Sequence, residues 1–174
     1  MDNQSTKIAE ICECIDHSFG FLVWCDDFAR RVDPDDLAFG LARGHELISH
    51  ATRLHSFLAL RKLDDFLSSK TTKADDLVAT KLGLDVSEIL SGKCFLTSNE
   101  RQDINKGVAH LTKRLSLDAD SEVELKAIVV RSIPIYKRLI LELCNLDTSN
   151  EAEYWLNKTG KLVQWYNEVL GVAG

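Results

Sequence analysis

The stretch that decides the fold is Ser5-Thr6-Lys7-Ile8-Ala9-Glu10-Ile11-Cys12-Glu13-Cys14-Ile15-Asp16-His17-Ser18-Phe19-Gly20-Phe21-Leu22-Val23. Ile8, Ile11, Cys12, Ile15, Phe19, Leu22 and Val23 recur at steps of three and four. On a helix they form one apolar stripe, with acidic residues on the other side. A strand would alternate with a period of two, and this stretch does not. The pattern predicts a helix over about residues 5–31, interrupted at modest cost by Gly20.

The same period continues outward. Asp33-Pro34 opens a second helix, with Asp33 as cap, Pro34 in the first turn, and Asp35 and Asp36 at the positive end of the dipole. Leu37, Leu41, Ile48, Ala51, Leu54, Phe57, Leu58, Phe66 and Leu67 carry it to about Ser69, and Gly40 and Gly44 leave room for a break or bend. Thr72 to Leu82 reads as a short helix stopped by Gly83. Asp85 to Leu90 reads as another turn or two, followed by a loop over Ser91 to Leu96. Thr97 and Glu100 form a capping box, which opens a helix from Asn99 to about Leu111. Ser121 and Glu124 form a second box before a long helix to about Leu143, which Pro134 should kink. Glu151 to Leu170 is the last helical region. Five major helical segments and two minor ones make an all-α, single-domain helical bundle over residues 1–174.

Composition agrees. The chain has 174 residues, 45% of them hydrophobic, and only two prolines. That is enough apolar material for one core without a disulfide or metal to hold it. The longest run without Asp, Glu, Lys or Arg, His17 to Cys25, is too short to span a membrane. The N-terminus carries no apolar signal-peptide core, and five cysteines are an odd number. The expectation is a cytoplasmic, thiol-reduced protein. A net charge of −6 argues against a broad nucleic-acid-binding surface.

Three groups of residues could carry chemistry. His45-Glu46-Leu47-Ile48-Ser49-His50 has one residue more than the His-Glu-x-x-His zinc motif. Its histidines stand about 140° apart on a helix, so they do not chelate one metal. Glu46 and His50 share a face, and His17 and His55 are the histidines that could join them. Cys12-Glu13-Cys14 with His17 is the second group, but the two thiols diverge by about 200°. No Gly-rich phosphate loop or nucleophile elbow is present, and no cofactor is expected. Tyr154, Trp155, Trp165 and Tyr166 are aromatic enough to stack bases, though such spacing is commonly core.

The third group is Asn99 to Arg114. Asp103, Lys106 and His110 lie at i, i+3 and i+7 and share a helical face. A carboxylate, a cation and an imidazole on one stripe can tune a histidine for proton transfer. Arg43 and His50 make a second arginine–histidine pair at i and i+7.

Ile104-Asn105-Lys106-Gly107-Val108-Ala109-His110-Leu111-Thr112 resembles the signature of HEPN-like helical domains. That signature is Arg, then usually Asn, Asp or His, then several residues, then His. The stretch His55 to Arg61 is similar to the second long helix of such proteins. The resemblance implies a homodimeric helical bundle, often a metal-independent RNase of a toxin or phage-defence system. The candidate catalytic residues are then His110, Asn105, Lys106 and Arg101. In such a site the RNA 2′-hydroxyl attacks, a histidine moves the proton, and a cation stabilises the charge on phosphorus. The expected partners are a second copy, an RNA substrate, and an antitoxin or defence protein.

One position departs from the signature. The family arginine would fall at 104, where this chain has Ile104. Arg101 stands nine residues before His110, about 180° away on a straight helix. Any RNA contact would concentrate on Arg101, Lys106, Lys113 and Arg114, which outnumber Asp103. Two functions stay open: a metal-independent endoribonuclease, or a non-catalytic HEPN-like module that binds a protein partner or a nucleotide. A metal-binding bundle is the third.

Overall fold

The computed structural model describes residues 4–23, 39–68, 77–110 and 119–169. It is all-helical there. Five helices of thirteen or more residues dominate: α1 (Gln4–Ser18), α3 (Phe39–Ser68), α5 (Ser98–His110), α6 (Ala119–Cys144) and α7 (Asn150–Val169). Two short ones, α2 (Gly20–Val23) and α4 (Val86–Leu90), complete the set. Among the described residues, no helix is long and apolar enough to cross a membrane.

α1 runs through the middle of the bundle and packs on α3 and α7, while α7 also packs on α6. Its stripe explains this position. Ile8, Cys12, Ile15 and Phe19 are fully buried. Phe19 stacks on Tyr166 of α7 with ring centroids 4.6 Å apart, and meets Tyr136 of α6 edge-on at 5.7 Å. The Tyr136 hydroxyl donates to Ser18 Oγ at 3.0 Å, and Ser18 donates to the Ile15 carbonyl at 2.7 Å. Tyr166 is therefore core, whereas Tyr154 is 63% exposed.

The single first helix expected from the stripe is broken. α1 ends at Ser18 and α2 starts at Gly20. Ser56 on α3 holds the break, accepting the Phe21 N–H at 3.1 Å and donating to the His17 carbonyl at 2.9 Å. A side chain from another helix thus takes over polar groups at the interruption. Residues 24–31 of the expected helix, and the Asp33-Pro34 start, lie outside the described residues.

Further differences are local. From Phe39 onward α3 is helical at both Gly40 and Gly44. Glycine costs only about 1 kcal/mol in a helix, and tertiary packing readily offsets that. The short helix expected over 72–82 is, in its described part, a single 3-10 turn at Ala79–Leu82. Leu77 and Val78 are not helical. Its stop is as read, since Gly83 adopts φ 77°, a left-handed conformation that glycine takes without strain. Asp85 caps α4 by accepting from the Ser87 and Glu88 N–H groups. α6 begins at Ala119, so Ser121 lies inside it and not at its cap. It continues through Pro134, which is exposed.

Candidate functional site

α5 carries the third sequence group. The box at its start forms as expected: the Thr97 N–H donates to Glu100 Oε2 at 2.7 Å, and the Glu100 N–H to Thr97 Oγ1 at 3.3 Å. Two arginine pairs then fix the helix. Arg131 of α6 grips both Glu100 oxygens at 2.6 and 2.9 Å, and donates to the Phe95 carbonyl at 3.0 Å. Burial alone would raise the Glu100 carboxyl, but hydrogen bonds from Arg131 and Thr97 together hold it below its ordinary range. Arg101 reaches across to α3. Its Nε and Nη2 donate to the two Asp64 oxygens at 2.6 and 2.9 Å.

The Asp64 side chain is 3% exposed, and that of Arg101 is 33% exposed. The hydrogen bond from Arg101 to Asp64 raises the guanidinium further above its ordinary value, so Arg101 stays charged. Its planar fork is engaged by a carboxylate of the protein's own core.

Ile104 is 2% exposed and belongs to the hydrophobic core. Position 104 therefore faces inward. Asn105 and Lys106 are exposed. The Lys106 ammonium lies 3.8 Å from Asp103 at i, i+3, with both side chains more than half exposed. His110 is the last residue of α5. Its side chain and that of Ala109 lie outside the described set, as do Lys113 and Arg114.

The other two groups separate. Among the described residues no three His, Cys, Asp or Glu side chains are placed to hold a metal ion. The side chains of Arg43, His45 and Glu46 lie outside those residues. Cys12 is buried, and burial pushes its thiol up to about 12 despite a hydrogen bond with Thr159. Cys14 points the other way, onto a groove between α1 and α3.

Sequence reasoning missed two features. One is Asp64, although Leu60, Asp64 and Leu67 at i, i+4 and i+7 put a carboxylate on the core face of α3. The other is the groove, with a volume of about 880 Å³. His17 of α1 and His55 of α3 stand on its edge as parallel stacked rings, 5.2 Å between centroids. Both histidines carry the polar side of a stripe, and only the packing of α1 on α3 brings them together. Compared with protein-family models, curated proteins and solved structures, the chain matches none.

Proposed function

We propose that this chain is a non-catalytic, HEPN-like helical module that binds a protein partner. One observation carries the reading. The position that would supply the catalytic cation is a core isoleucine, Ile104, and the nearest arginine is clamped on buried Asp64. A cation stabilises a phosphorane only if it is aimed at the phosphate. Arg101 aims the Nε and Nη2 edge of its fork at Asp64. Lys106 is the remaining described candidate on α5, and it stands beside Asp103.

The charge supports a protein partner over RNA. At −6 the surface repels polyphosphate except where cations cluster locally. The resemblance also carries a homodimer, which sedimentation of the purified chain tests.

The deciding experiment incubates the protein with a mixed single- and double-stranded RNA pool in EDTA. The expected outcome is no cleavage above a buffer control. Cleavage that disappears in His110→Ala, with unchanged thermal unfolding, would instead establish the endoribonuclease reading.

A further inference from the structure

We draw no further inference here: the strongest candidate, the exposed row of Tyr154, Lys158, Lys161 and Trp165 along the outer face of α7, carries none, because Lys158 is already held by Asp16 and the Trp155 ring and nothing in the structure shows what covers the two exposed aromatic side chains.

Discussion

The guanidinium of Arg101 lies on the buried carboxylate of Asp64, with Nε to Oδ2 at 2.6 Å and Nη2 to Oδ1 at 2.9 Å. This pair ties α5, the helix that exposes Asn105 and Lys106, to α3. Arg101→Ala leaves Asp64 charged and without its fork in a nearly water-free position. The expected loss is about 2–4 kcal/mol, below the upper range for fully buried pairs because Arg101 is one-third exposed. Arg101→Lys should recover only part of it, since an ammonium does not bind both oxygens in a plane. Urea unfolding of the two variants measures this. A loss under 0.5 kcal/mol for Arg101→Ala would mean that the pair is not structural.

An arginine introduced at position 104 should not be tolerated. Ile104→Arg puts a charge into the core, where it is not solvated. The expected cost is about 4 kcal/mol or more, which is enough to unfold many domains of this size. Ile104→Val, by comparison, should cost about 0.5–1.5 kcal/mol. Thermal unfolding of both variants checks the contrast. A folded, RNA-cleaving Ile104→Arg protein would show that position 104 can turn outward.

Acid should act on Glu100 and Asp16 with opposite signs. The folded Glu100 carboxyl sits below its ordinary value of 4.5, because the Arg131 and Thr97 hydrogen bonds outweigh burial. Its contribution is present above pH 4.5 and is lost as pH falls through the lowered value. Glu100→Gln should remove that acid sensitivity, as read by unfolding free energy between pH 7 and 3.

Asp16 behaves in reverse. Burial raises its carboxyl, although Thr159 donates to it at 2.8 Å and Lys158 lies at 3.5 Å. The native state therefore holds a proton more readily than the unfolded chain. Stability from this group falls as pH rises from 3.8 through the raised value. Asp16→Asn keeps an acceptor for Thr159 and removes the buried charge. It should be neutral or slightly stabilising at pH 7, with its advantage shrinking below pH 4. A strong destabilisation at pH 7 would show that the Lys158 attraction exceeds the desolvation cost.

Thiol labelling should sort the cysteines. Cys94 and Cys144 are exposed and should react with a maleimide on mixing. Cys12, in the core with its thiol near 12, should react only as fast as the protein opens. Mass spectrometry of labelled peptides over time gives the order. Early labelling of Cys12 would contradict its burial.

Local signals proved readable wherever they depended on neighbours in the chain. The Thr97–Glu100 box and the Gly83 stop are each closed by residues three or four positions apart. Period-3.6 stripes gave five long helices, because burial of one face is written in the spacing. The break at Gly20 was not readable in the same way. Its polar groups are met by Ser56, thirty-five or more positions away. The 3-10 turn at Ala79–Leu82 was also misjudged, since composition alone does not separate one tight turn from a short helix.

The candidate site divides along the same line. By itself the sequence determined an all-α chain, an acidic surface, and the grouping of Asn105, Lys106 and His110 on one short helix. It also placed an apolar residue, Ile104, among the polar residues of that helix. Only the tertiary structure decided that Ile104 faces the core, that Arg101 is held by Asp64, and that His17 and His55 meet. Periodicity fixes which residues share a face of one helix. It does not fix which face of another helix comes to meet them, and that choice is made by side-chain packing and charge pairing between segments distant in sequence.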